Sequence, residues 1–89
     1  MLYNYIKKMN GEQNMLKKIL DIISIHLQIA VEDLNDEMTF IELGMDSLNL
    51  MKIIMRVENA FDIHIEDQEI VDLRTISDIA DLCVRKVSY

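Results

Sequence analysis

No proline interrupts this chain, and glycine occurs only at positions 11 and 44. Proline and glycine are the residues that most often break or end helices. With so few of them, and with aliphatic residues recurring at helical spacing through most of the sequence, the fold class is expected to be all-α. A chain of 89 residues, 51% of them apolar, is enough for one small domain with a single core and too short for a second.

The apolar spacing divides the chain into segments. Residues 1–12, MLYNYIKKMNGE, show no period long enough to define an element. They are expected to form a flexible or partly helical extension, with Tyr3, Tyr5 and Ile6 able to dock on the body or on a partner. The domain proper is then 13–89. From about Gln13 to Gln28, Leu16, Ile19, Leu20, Ile23 and Leu27 follow the i, i+3, i+4, i+7 rule of a helix face. Met15, Ile22, Ile25 and Ile29 widen that stripe, which predicts a helix buried on more than one side. Residues 30–46 lose the period but keep Val31, Leu34, Met38, Phe40, Ile41 and Leu43. So apolar a connection is expected to lie over the bundle, with Leu34, Phe40 and Leu43 turned inward.

Residues 47–61, SLNLMKIIMRVENAF, predict the second long helix. At about 100° per residue, Leu50, Ile53, Ile54, Val57 and Phe61 gather on one side and are assigned to the core. Leu48, Met51 and Met55 gather on the opposite side, where an ordinary surface helix carries polar groups. Flanked by Lys52, Arg56 and Asn59, these three form a candidate docking strip for another protein, unless the N-terminal extension or a loop covers them. Beyond them, a short helix is expected from about Asp67 to Val71. Ile63 and Ile65 alternate with polar residues, but a lone strand would have nothing to pair with. Thr75 with Asp78 three residues on marks the start of a last helix running to about Lys86.

Ahead of the second helix stands Gly44-Met45-Asp46-Ser47-Leu48. Gly44 suits a sharp turn, Asp46 is a strong N-cap residue, and Ser47 falls at the first helical position with its hydroxyl outside the barrel. An anion on that hydroxyl would be favoured by the positive end of the helix dipole.

Charge narrows the partners. Residues 1–20 carry Lys7, Lys8, Lys17 and Lys18 against Glu12, a net +3, so the overall −7 leaves −10 on residues 21–89. An acidic body repels nucleic acid and attracts basic protein surfaces, to which Glu42, Asp46, Glu58 and Asp62 would contribute. The lone Cys83 cannot form an internal disulfide and fits a reducing cytosol, and no membrane-spanning or signal segment is visible, so a cytoplasmic protein is expected. No metal site is expected. The acidic run Glu32–Glu37 lacks the ligand alternation and central glycine of a calcium loop, and His26, His64 and Cys83 do not make a zinc set.

The glycine two before Asp46-Ser47-Leu48 at a helix start, with Phe40 before it and Phe61-Asp62-Ile63 after it, resembles the acyl carrier protein family, including the peptidyl and aryl carriers of assembly-line synthetases. The resemblance covers about residues 13–87. It implies a four-helix bundle with a long loop between the first two helices and a short third helix. It also implies that Ser47 receives the phosphopantetheine arm of coenzyme A from a phosphopantetheinyl transferase, and that the arm's thiol carries an acyl or aminoacyl thioester. On this view Gly44 and Asp46 shape the attachment site. Met45, Leu48, Met51, Met55, Glu42 and Glu58 meet the partners: the transferase, an acyl- or aminoacyl-loading enzyme, and a downstream synthase or transferase. The chain would be a monomeric carrier and not an enzyme.

Fatty-acid carriers usually have a strongly acidic second helix, whereas this one holds Asn49, Lys52 and Arg56 with Glu58 as its one acid. The turn Phe40–Gly44 is also a residue shorter than in that form, Met45 is unusual, and the proline common near Ile65-Glu66 is missing. These departures favour a free-standing carrier in a polyketide- or nonribosomal-peptide-like pathway over fatty-acid synthesis. Two other classes compete. A serine hydrolase using Ser47 with His26 or His64 lacks the Gly-x-Ser-x-Gly elbow and a strand to present it. A helical adaptor without a prosthetic group would use the Leu48–Met51–Met55 strip alone.

Overall fold

The computed structural model describes the backbone of residues 2–87 and the side chains of residues 13–87. Among them lie four α-helices: α1 (Leu2–Leu27), α2 (Ser47–Phe61), α3 (Asp67–Ile70) and α4 (Ile76–Val87), with a 3-10 turn at Val31–Asp33 between α1 and α2. The all-α expectation holds. α1 packs against both α4 and α2. No helix among the described residues is long and apolar enough to cross a membrane.

α1 starts at Leu2, well before Gln13. Apolar periodicity marks only the part of a helix that meets a core, whereas the helix itself needs only unbroken hydrogen bonding and tolerable propensity, which residues 2–12 supply despite Gly11. The side chains of Tyr3, Tyr5 and Ile6, assigned above to docking, lie outside the described residues. At the other end Gln28 takes a left-handed conformation (φ 57°), and the Ile29 amide donates to the Ser24 carbonyl at 3.1 Å. That is a Schellman stop built without glycine.

Met15, Ile19 and Ile23 of α1 meet Ile53, Ile54 and Val57 of α2 and Ile76, Ile79, Ala80, Leu82 and Cys83 of α4 in one buried core. Leu16, Leu20, Ile22, Leu27 and Ile29 are only partly buried. Ile25 is 71% exposed, so α1 does not bury the wide stripe expected of it. It stands two residues past Ile23, about 200° around the helix, which turns it away from the side packed on α2 and α4.

The long connection lies across the bundle as expected. Leu34 and Phe40 are buried and Leu43 is partly buried against them. The backbone explains what holds it there: Phe40 N–H donates to Arg74 C=O (3.0 Å), Ile76 N–H to Met38 C=O (3.2 Å) and Ser77 N–H to Asp36 C=O (2.7 Å). One antiparallel bridge joins Thr39 and Thr75. The first amides of α4 are thus capped by the connection from α1.

Residues 63–66 form an extended connection, not a strand. Ile65 is buried, and its amide donates to Glu58 Oε2 at 2.8 Å. α3 is one turn with a capping box between Glu66 and Glu69, and Lys86 of α4 ties down Glu69 at 2.7 Å. At the start of α4, Asp78 N–H donates to Thr75 Oγ1 (3.1 Å), while Asp78 Oδ2 accepts from Thr75 N–H (3.1 Å) and Arg74 N–H (2.8 Å).

The burial pattern fixes two expected stabilities. Ile54→Ala should cost about 2–5 kcal/mol, because it removes a side chain from the centre of the core. Ile25→Ala should lie within about 0.5 kcal/mol of the parent, since its side chain already faces solvent and alanine is the better helix former. Urea titrations followed by far-UV circular dichroism check both, and equal losses would contradict the packing of α1.

Candidate functional site

The site is assembled from a turn and the helix it launches. Residues 40–44 curl back so that Leu43 N–H donates to Thr39 C=O (3.1 Å), Gly44 N–H to Ile41 C=O (3.0 Å) and Met45 N–H to Phe40 C=O (3.0 Å). Gly44 sits at φ 72°, a left-handed value, with open space where a Cβ would stand. Glycine is therefore needed there for its backbone angle and not for a close approach.

The turn has its own clamp. Thr39 N–H and hydroxyl both donate to Glu42 Oε1 (3.0 and 2.9 Å), and Glu42 N–H donates back to Thr39 Oγ1 (3.1 Å). The Thr39 backbone bond, then its hydroxyl, hold the Glu42 carboxyl below the ordinary carboxylate value. A depressed folded value means that this support is present above the ordinary titration and is lost as pH falls through the depressed one. The signal was in the sequence: Thr39-x-x-Glu42 is the capping-box spacing, here used on a turn instead of a long helix.

Asp46 then caps α2, its Oδ1 accepting from Asn49 N–H at 2.8 Å with extended backbone angles. Ser47 follows as the first residue of α2, exposed, its hydroxyl without a hydrogen-bond partner among the described residues. Leu48 (64% exposed), Met51 (39%) and Met55 (58%) continue along the same solvent-facing side, uncovered by any loop among the described residues. Ile41, in the turn ahead of α2, is 88% exposed, which the sequence reading did not single out. Met45, assigned to partner contact, is partly buried against the core.

Glu58 is also placed differently from a free surface acid. Its Oε2 accepts the Ile65 amide and lies 3.2 Å from His64 Nδ1, whose Nε2 is 3.3 Å from Glu66 Oε1. It closes the far end of α2, where Asp62 (φ 54°) provides another left-handed stop. Glu58 is about 16 Å along the helix from Ser47, and Asp62 about 22 Å, at 1.5 Å per residue. His64 therefore cannot serve Ser47 as a base. His26 Nε2 lies 3.2 Å from Asn49 Oδ1, bracing the end of α1 on the start of α2. Cys83, on α4, is fully buried, and that burial pushes its thiol up to about 11.

Residues 17–83 match the family model described as the phosphopantetheine attachment site. An acyl carrier protein from Syntrophus aciditrophicus (strain SB) is 36% identical over 75 residues, spanning 82% of this chain and 94% of its own. One from Syntrophobacter fumaroxidans is 38% identical over 68 residues, spanning 75% and 84%. The crystal structure of an acyl carrier protein from Thermotoga maritima superposes with a TM-score of 0.74 at 32% identity, covering 85% of this chain and 89% of that one. The chain thus belongs to the acyl carrier protein family, whose members are not enzymes but bear a covalently attached phosphopantetheine and pass their cargo between enzymes.

Proposed function

We propose that Ser47 is the residue that bears the phosphopantetheine, and that α2 is the handle by which partner enzymes grip the carrier. The observation that carries this reading is the exposed, unpartnered Ser47 hydroxyl at the start of a 15-residue helix, with three apolar side chains leading away from it. The residues present fit the group. Asp46 takes the Asn49 amide and Leu50 N–H donates to Asp46 C=O (3.0 Å), leaving the Ser47 and Leu48 amides at the positive end of the helix dipole, where a phosphate diester is favoured.

When bound, the arm supplies a terminal thiol that holds an acyl or aminoacyl group as a thioester. The chain's own part is presentation. Gly44 and the Thr39–Glu42 clamp fix the turn, Asp46 fixes the first turn of α2, and the buried Ile53–Ile54–Val57 side anchors the helix. The oxygen that forms the ester is thereby held at one place on a rigid body. No base is needed beside Ser47, because the transferase that brings the arm can take the hydroxyl proton.

We assign the carrier to a specialised polyketide- or nonribosomal-peptide-like pathway in preference to fatty-acid synthesis. Support comes from the exposed face of α2, which offers Lys52 and Arg56 where a fatty-acid carrier is usually acidic.

Incubation with coenzyme A and a broad-specificity phosphopantetheinyl transferase should add one arm to the intact mass, and Ser47→Ala should abolish the addition. An unmodified parent protein would return the chain to the class of simple adaptors. Met55→Glu should leave the melting curve unchanged and slow arm transfer or loading by about tenfold, because it puts a charge into an apolar contact worth one or two kcal/mol. Unchanged rates with every partner would remove Met55 from the interface.

A further inference from the structure

Three of the acids near the α2 face accept hydrogen bonds within the fold, while Asp62 at its far end keeps an exposed carboxylate. Glu42 is held by Thr39, Asp46 by the Asn49 amide, and Glu58 by the Ile65 amide and His64. Lys52 and Arg56 are the reverse case. Both are exposed, and neither has an ion-pair partner among the described residues. They stand four apart on one helix, so their mutual repulsion costs α2 a few tenths of a kcal/mol with no compensating contact among the described residues. By helical phase they fall on one edge of the Leu48–Met51–Met55 strip, between it and the side that meets α1 through Asn49 and His26.

We propose that the enzyme surface that docks on α2 is acidic: an apolar hollow for Leu48, Met51 and Met55, bordered on one side by carboxylates that pair with Lys52 and Arg56. The proposal rests on α2 being the docking face. Charge complementarity sets the occupant, because a carboxylate can meet the Arg56 guanidinium bidentately and Lys52 as a point charge, whereas a basic surface would bring like charges together at the rim. The two cations act at contact range. The body beneath them carries −10 over residues 21–89, so an acidic partner is repelled at long distance and gains only once the two cations are in contact. Their role is selection: they admit an acidic docking surface and reject a basic one.

The test uses the full chain with its arm, each sample verified by intact mass, and the purified adenylating or acyl-transferring enzyme that charges it. Loading is measured for the parent, for Lys52→Gln with Arg56→Gln, and for Lys52→Glu with Arg56→Glu, after circular dichroism shows equal melting. The neutral pair should raise KM about threefold and the reversed pair about tenfold or more, with kcat little changed. Replacing the facing aspartate or glutamate of the enzyme by lysine should recover the reversed pair. Equal or faster loading of the reversed pair would overturn the proposal. Failure of Ser47 to take the arm in the parent is a separate result, read from mass alone, and would overturn the site assignment beneath it.

Discussion

Phe40 joins the parts on which everything else depends. Its side chain is buried in the core, its amide donates to the Arg74 carbonyl ahead of α4, and its carbonyl accepts from the Met45 amide just before α2. One residue therefore connects the core, the entry to α4 and the turn that aims Ser47. The backbone bonds are worth only about 1 kcal/mol each, but burying the ring adds a few more and makes the arrangement hard to open piecemeal. A connection of this length would otherwise wander. Pinned at its middle, it becomes the platform from which α2 starts.

From that platform the exposed strip of α2 follows by helix geometry. Asp46 sets where α2 begins, so it sets which residues face inward. Ile53, Ile54 and Val57 bury, and Leu48, Met51 and Met55 must then face out. The exposed strip is thus tied to the core by a fixed angle: sliding the start of α2 by one residue would turn every side chain by about 100°. The same logic explains why so short a helix as α3 survives. It has a capping box within itself and an ion pair to α4, in which Lys86, followed by the Glu66 amide, holds Glu69 below its ordinary value.

Much of this was legible in the sequence because it depends on residues close in the chain. The two faces of α2, the caps at Asp46 and Thr75, the left-handed turn at Gly44 and the inward Leu34 and Phe40 all follow from local spacing and residue chemistry. What was not legible is set by distant parts of the fold. Ile25 looks like core by composition, and only the placement of α2 and α4 around α1 leaves it in solvent. Glu58 looks like a surface acid until the chain returns to put the Ile65 amide against it. The bridge from Thr39 to Thr75 joins two threonines with no signal in either neighbourhood. The start of α1 at Leu2 was hidden for a different reason, since an apolar stripe reports packing and not helicity.

The burial of Cys83 has a consequence for the cargo. A thioester is open to exchange with any nearby thiolate, and a carrier with a reactive cysteine of its own could strip the group it is meant to deliver. This chain has a single cysteine, sealed among the side chains of the bundle and held as a neutral thiol by its burial. It contributes to packing and stays out of acyl exchange. The scaffold is thereby chemically silent toward the bond it transports, and release is left to the enzymes that receive it.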